Sequence, residues 1–214
     1  LIIKGVASQT ADLQQWQNSS GGTVSRIDQY GGFVTTVYAS LYPSYSAGTP
    51  LYVNGLSGQT GDLTRWQNSS GTILSSITNN GFLNTPGIFE NPTISATAAT
   101  GTINYDLLTN KSVTYYTSNA SANWTLNIRG NSSTTLDSLM SVGQSITIVF
   151  MVTQGSTAYY QSGLQIDGTS VTPKWQGGVA PTFGNASGID AYSVTIMKTA
   201  SATFTVFESQ TRFA

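Results

Sequence analysis

Nine carboxylates are the side chains best suited to acid–base or metal chemistry in this sequence: Asp12, Asp28, Asp62, Glu90, Asp106, Asp137, Asp167, Asp190 and Glu208. No two stand closer than sixteen positions, so no local stretch offers the clustered oxygens that calcium requires. A glycosidase pair could still be assembled in space from distant carboxylates. Its mark would be two of them within about 10 Å along a groove, but spacing selects no pair. Histidine and cysteine are absent. Their absence removes the Ser-His-Asp triad, the Cys-His pair and the common zinc sites. P-loop, dinucleotide and nucleophile-elbow patterns are missing as well. The sequence reads as non-enzymatic, without cofactor or metal.

Aromatic side chains are the other candidates, because they can stack on sugars. Trp16 and Trp66 occupy matching places in two nearly identical stretches fifty residues apart. One is Gln-Thr-Ala-Asp-Leu-Gln-Gln-Trp-Gln-Asn-Ser-Ser-Gly from Gln9, the other Gln-Thr-Gly-Asp-Leu-Thr-Arg-Trp-Gln-Asn-Ser-Ser-Gly from Gln59. Gly5 and Gly55, Ser25 and Ser75, Ile27 and Ile77, and Gly31 and Gly81 extend the match. It then slips by one, pairing Phe33 with Phe82. A duplicated segment marks a stacked supersecondary unit. Leu13, Trp16, Leu63 and Trp66 are therefore assigned to packing, in a core or in a seam between chains, rather than to a ligand. Asp12 and Asp62 are expected to cap turns, and Trp124 to lie in the core. Trp175 differs, since it stands beside Pro173-Lys174 and a Gly-Gly-containing stretch running to Pro181. With Tyr159 and Tyr160 it is a candidate for surface recognition. Tyr115-Tyr116 and Tyr159-Tyr160 are expected to put one ring of each pair on either face of a strand.

The elements that must position these residues read as strands. Only 8% of residues are charged, against roughly 25% in ordinary domains. At 39% hydrophobic and 11% aromatic the chain can still bury a core, and its many Thr, Val, Ile and Tyr residues favour strands. The net charge of −1 supplies no basic stripe for phosphates, which argues against nucleic acid. The apolar run Ile146-Thr147-Ile148-Val149-Phe150-Met151-Val152 is strand-sized and too short to cross a bilayer. No signal-peptide pattern is visible at the start, where Leu1 stands in place of Met and leaves room for an upstream segment.

Residues 1–40 hold the first repeat, 41–49 a turn-rich connector, 50–85 the second repeat, 86–91 a second connector and 92–214 the remainder. Each repeat is expected to form a β-hairpin with an irregular first strand, turning at Asn68-Ser69-Ser70-Gly71 and Asn79-Asn80-Gly81 in the second copy. In the remainder, strands are expected at 93–96, 102–107, 112–117, 124–128, 145–153, 164–166, 170–175, 192–198 and 202–208. One short helix is expected at 135–140, and a hairpin turn at Asp167-Gly168. The whole predicts an all-β chain: tandem hairpin repeats like a fibre shaft, then an antiparallel β-sandwich or jelly roll.

The duplicated motif, followed by Thr-(Ile/Val)-Leu-Ser and a later Asn-Gly-Phe, resembles bacteriophage fibre and virion structural proteins. The C-terminal half adds to the resemblance. Pro-Lys-Trp-Gln-Gly-Gly-Val-Ala-Pro-Thr from Pro173, Gly-Asn-Ala-Ser-Gly-Ile-Asp-Ala-Tyr from Gly184, and the ending from Ala202 to Ala214 are similar to structural proteins of phages that infect cyanobacteria. Related sequences sit on tail fibres and on head-associated fibres alike. The resemblance implies an elongated homotrimer on the virion exterior, contacting other tail or capsid proteins; a second reading, compatible with it, is a binding module whose loop aromatics recognise host surface polysaccharide. The resemblance carries over no catalytic residue.

Overall fold

A computed structural model describes residues 5, 8–35, 51, 53–55 and 57–214. The connector expected at 41–49 lies outside these. Strands take 47% of the described residues and helix 6%, which makes the chain all-β. It divides into two compact units, 1–86 and 87–214.

In the first unit, β1 (Gln14–Gln17), β2 (Thr23–Ile27) and β3 (Phe33–Thr35) form one three-stranded antiparallel sheet. A second consists of β4 (Thr64–Gln67), β5 (Ile73–Ile77) and β6 (Leu83–Asn84). Their registers repeat. Gln14 faces Ile27 as Thr64 faces Ile77, Trp16 faces Ser25 as Trp66 faces Ser75, and each ladder is irregular just after its Trp. Phe33 faces Ile27 and Leu83 faces Ile77. In space, then, Phe33 corresponds to Leu83 and not to Phe82, and the offset does not slip.

The turns explain why these short strands form. Asn18 Oδ1 accepts from the backbone N–H of Ser20 and Gly22 at 3.0 and 2.9 Å. Asn68 does the same for Ser70 and Thr72, and Asp28 for Tyr30 and Gly32. Gly21, Gly31, Gly71 and Gly81 each take the left-handed conformation that closes a three-residue loop. Turn-capping thus belongs to Asn18, Asp28 and Asn68 rather than to Asp12 and Asp62. Asp12 instead pairs with Arg26 at 3.2 Å, and Asp62 with Arg65 at 3.0 Å.

Three short strands cannot cover one another. Among the described residues of this unit only Ser76 is buried, and no apolar side chain is.

The second unit has a core between two sheets. One sheet runs in the order β13 (Thr169–Ser170), β12 (Gln161–Ile166), β10 (Trp124–Arg129), β8 (Gly101–Asp106). The other runs β14 (Lys174–Trp175), β16 (Thr203–Phe213), β15 (Ile189–Ala200), β11 (Ser145–Thr153), β9 (Val113–Ser118), β7 (Thr93–Ala98). Consecutive strands from β7 to β12 alternate between the sheets. Neighbours in either sheet are therefore reached through a strand of the other, and they run parallel: β7 with β9, β9 with β11, β8 with β10, β10 with β12. Only β11–β15, β15–β16 and β12–β13 pair antiparallel. This corrects the antiparallel, jelly-roll-like expectation. Hairpins join adjacent antiparallel strands, whereas a parallel neighbour needs a crossover, which the opposite sheet supplies here.

Period-two alternation sends Ile103 and Tyr105, Trp124, Leu126 and Ile128, and Leu164 and Ile166 inward. They meet Ile148, Phe150 and Val152, Tyr192, Val194 and Ile196, and Val206 from the other sheet. The Phe150 ring is met edge-on by Tyr105, Tyr116 and Trp124. On the outer face of the four-stranded sheet, parallel neighbours make a polar ladder. Asn127 Nδ2 donates to Asn104 Oδ1 at 2.8 Å, and Arg129 Nε to Asp106 Oδ1 at 2.6 Å.

The Asp167-Gly168 turn has both residues at positive φ, 52° and 80°, as a type I′ hairpin requires. Its carboxylate also accepts the backbone N–H of Leu136 and Asp137 at the start of the one-turn helix Leu136–Leu139. The other end of that turn rests on Lys198, 7% exposed, whose ammonium donates to the carbonyls of Asp137 and Met140 at 2.6 and 2.9 Å. Lys198→Met leaves two carbonyls without their donor. It is expected to cost about 2 kcal/mol, read by denaturant unfolding. A neutral result would show that the carbonyls find other partners.

Candidate functional site

The 174–189 segment is not a free loop. Lys174 and Trp175 form a two-residue edge strand, β14, paired parallel with Phe207 and Glu208 of β16. A 3-10 turn follows at Gln176–Gly178, with Gly177 and Gly178 at φ 74° and 77°. Those two glycines reverse the chain where a side chain would be strained. The segment is then tied back to β16. Gln210 Nε2 donates to Phe183 O at 3.2 Å, the Arg212 guanidinium lies 4.4 Å from the centre of the Phe183 ring, and Asn185 Nδ2 donates to Phe213 O at 2.6 Å. A Cβ on Gly184 would strike the Tyr159 carbonyl, so only glycine fits this crossing.

Three contiguous clefts meet at Trp175. The first, about 440 Å³, lies between Lys174, Trp175 and the outer-face residues Ser193, Thr195 and Phe207. The second, about 580 Å³, runs along β16 from Ser209 to Arg212 under Val179 and Pro181. The third, about 360 Å³, opens between the two sheets at Tyr160, Gln161, Leu164, Val171 and Pro173. Trp175 is half-buried, its inner side packed against the core.

Of the sequence candidates, Trp175 and Tyr160 come together at the third cleft. Tyr159 turns the other way and packs against the core, its backbone N–H and C=O both held by the Gln154 amide. Both tyrosines precede β12, so they do not sit on opposite faces of a strand. Tyr115 and Tyr116 do lie on β9. The Tyr116 ring packs 5.1 Å from Phe150, and the Tyr115 hydroxyl bonds Thr153 Oγ1 at 2.9 Å. Trp16 is 42% and Trp66 50% exposed, with Leu13 and Leu63 half-buried, so no core among the described residues covers the rings.

Sequence reasoning missed the polar residues inside the sandwich behind Trp175. Gln161 Nε2 donates to Glu208 Oε1 at 2.6 Å, bridging the two sheets, and the Tyr192 hydroxyl accepts the Gln161 backbone N–H at 3.1 Å. Gln154 Nε2 donates to Asp190 Oδ2 at 2.9 Å. Gln161 Oε1, Glu208 Oε2 and Asp190 Oδ1 are buried without a protein partner. Burial, only partly offset by the Gln161 hydrogen bond, pushes the Glu208 carboxyl up to about 8. Burial likewise raises Asp190 against the lowering hydrogen bonds from Asn185 and Gln154. At neutral pH Glu208 is therefore mostly an uncharged acid. The alternation Val206, Glu208, Gln210 was the available signal, because it places Glu208 on the face that carries Val206.

A fourth cleft, about 280 Å³, surrounds Arg129 and Asp167. Its cation is already bidentate on Asp106. Among the described residues no group of three or more acidic side chains could hold a metal ion. No family model, curated protein or solved structure matches the chain.

Proposed function

We propose that the chain is a non-enzymatic subunit of a homotrimeric phage fibre or spike on the virion exterior. In this reading the first unit is the shaft-like interface between copies, and the second is the distal part. The observation that carries it is the uncovered apolar surface of the duplicated sheets. Trp16, Phe33, Trp66, Phe82 and Leu83 are all exposed, and no apolar side chain among the described residues of this unit is buried. Two sheets of equivalent register present the Trp, and Phe33 with its counterpart Leu83, twice per chain, as a repeated lateral contact would require.

Covering these rings supplies much of the free energy that association needs. About 100 Å² of each Trp remains to be covered, worth about 2–3 kcal/mol per ring. Six such rings in a trimer gain about 15 kcal/mol, against roughly 8–30 kcal/mol for the two associations a trimer needs at about 4–15 kcal/mol each. Phe33, Phe82 and Leu83 add to that. Trp16→Glu with Trp66→Glu is expected to convert a trimer to a monomer in mass photometry while leaving the second unit folded. A stable, folded monomer of the parent chain at low concentration would overturn the reading.

The Trp175 clefts favour an accompanying role, recognition of host surface polysaccharide by the second unit. Attachment to the capsid instead of the tail suits the same geometry. A polysaccharide-degrading activity has less to support it. Of the four clefts, Glu208 lines one and Asp167 another, and none is lined by two carboxylates. A partner chain or a glycan, not nucleic acid or a bilayer, suits the low charge of the chain.

A further inference from the structure

We propose that the groove joining the clefts at Trp175 takes an acidic polysaccharide, a chain of sugars carrying carboxylates, with Arg212 and Lys174 reading the charge and Trp175 a sugar face. The inference rests on the reading of the second unit as the recognising part, and it names the ligand class.

The first observation is continuity. The cleft at Lys174 and the cleft at Arg212 share Trp175, Gln176 and Ser209, so one groove runs along the edge of β16 with a cation towards each end. The second is that neither cation is closed in an ion pair. Among the described residues neither Arg212 nor Lys174 makes an ion pair within 4.0 Å. The Arg212 guanidinium is held over the Phe183 ring, and Lys174 Nζ stands 6.0 Å from the centre of the Phe207 ring. Stacking fixes the position of each charge and leaves hydrogen-bond donors for a carboxylate.

The nearby acids do not form ion pairs with them. Glu208, 3% exposed, is held uncharged by burial at neutral pH, and Asp190, opposite Arg212 on β15 and on the same face, is fully buried, which raises it, while the Arg212 charge favours its ionised form without an ion pair within 4.0 Å. The third observation is the open edge of β16. β14 pairs with it only at Phe207 and Glu208, so from Ser209 to Arg212 the strand edge has no strand partner and can bond hydroxyls. The groove therefore offers an aromatic face, backbone donors and acceptors, and two cations. Hydroxylated rings bearing periodic negative charge match all three.

The test uses the intact chain on surfaces bearing polygalacturonate or, as a neutral counterpart, dextran. Retention is expected on polygalacturonate and not on dextran, and it should fall steeply in about 1 M salt. Arg212→Gln is expected to weaken it about tenfold, the value of one charged hydrogen bond. Trp175→Ala should weaken it as well, with thermal unfolding confirming that both variants fold. Lys111→Gln, outside the groove, should have no effect. Equal loss in Lys111→Gln would mean bulk charge and overturn the proposal. So would displacement by poly-L-glutamate as effective as by free polygalacturonate, which would indicate a peptide strand on the open edge. Trp175-dependent retention on dextran, or adsorption to bacterial cells without retention on polygalacturonate, would leave polysaccharide recognition standing and overturn the acidic ligand. Retention on neither surface, with no cell adsorption, would remove both.

Discussion

Trp124→Ala is expected to lower the stability of the second unit by about 3–5 kcal/mol, the usual cost of emptying a large aromatic site. The ring is 1% exposed and stands between the sheets, 5.6 Å from Tyr192 and 6.3 Å from Phe150, edge-on to both. It belongs to β10 of one sheet, while Tyr192 and Phe150 belong to β15 and β11 of the other. Its removal therefore opens a void across the sandwich that neither sheet can close alone. Trp124 Nε1 is buried without an acceptor. Trp124→Phe should for that reason cost much less, since it keeps most of the volume and removes an unpaired donor. Denaturant unfolding followed by the remaining tryptophans separates the two variants. A loss below about 1 kcal/mol for Trp124→Ala would mean that the void collapses or that the ring is not central to the core.

The same residue marks how far the sequence was legible. Alternation at period two located most strands of the second unit, including Ser145–Thr153 at its observed bounds. Alternation is blind to strand direction, however, because inward residues repeat every second position in parallel and antiparallel ladders alike. The partner of Trp124 in β8 is Gly101, and in β12 it is Gln161. Nothing local announces pairings across such separations, so the alternating path between sheets was not foreseen. The 170–175 run reads as one strand in the sequence. Pro173 lacks the N–H a ladder needs, and the structure has two short strands, one in each sheet.

Function was less legible than fold for a related reason. Leu13 and Trp16, three apart and repeated in Leu63 and Trp66, show that a contact recurs but not which surface it meets. One chain leaves the rings exposed. Asn18 and Asn68 carried the turn signal in their Asn-Ser-Ser-Gly runs, yet capping was assigned to Asp12 and Asp62, whose charges instead attract Arg26 and Arg65. Gln154, Gln161, Asp190 and Glu208 are polar and would ordinarily be surface residues. Their burial follows from strand phase together with a neighbouring sheet that only the tertiary structure supplies.

Stability of the second unit is expected to fall as pH rises from about 5 to 8, and Glu208→Gln is expected to remove most of that fall. In the unfolded chain Glu208 loses its proton near the ordinary value of 4.5, whereas in the folded chain burial holds it until about 8. Between those values the folded state binds more protons than the unfolded one, so the slope of stability with pH is negative. The full stabilisation by the protonated form is present below 4.5 and is lost by the time pH passes 8. At 1.36 kcal/mol per pH unit the interval corresponds to about 5 kcal/mol at most. Asp190, raised by the same burial, adds in the same direction. Asp137 acts oppositely: the Lys198 hydrogen bond and then the Ala202 N–H lower it, so its contribution is lost only at the acid end. Mildly acidic pH should therefore be optimal. The amide of Glu208→Gln cannot ionise, and it can both accept from Gln161 Nε2 and donate to the unpartnered Gln161 Oε1. The variant should match the parent near pH 5 and exceed it clearly at pH 8 in denaturant midpoint. A parent midpoint that is flat over this range would show that Glu208 is already ionised in the fold. An unchanged slope in Glu208→Gln would place the titrating group elsewhere.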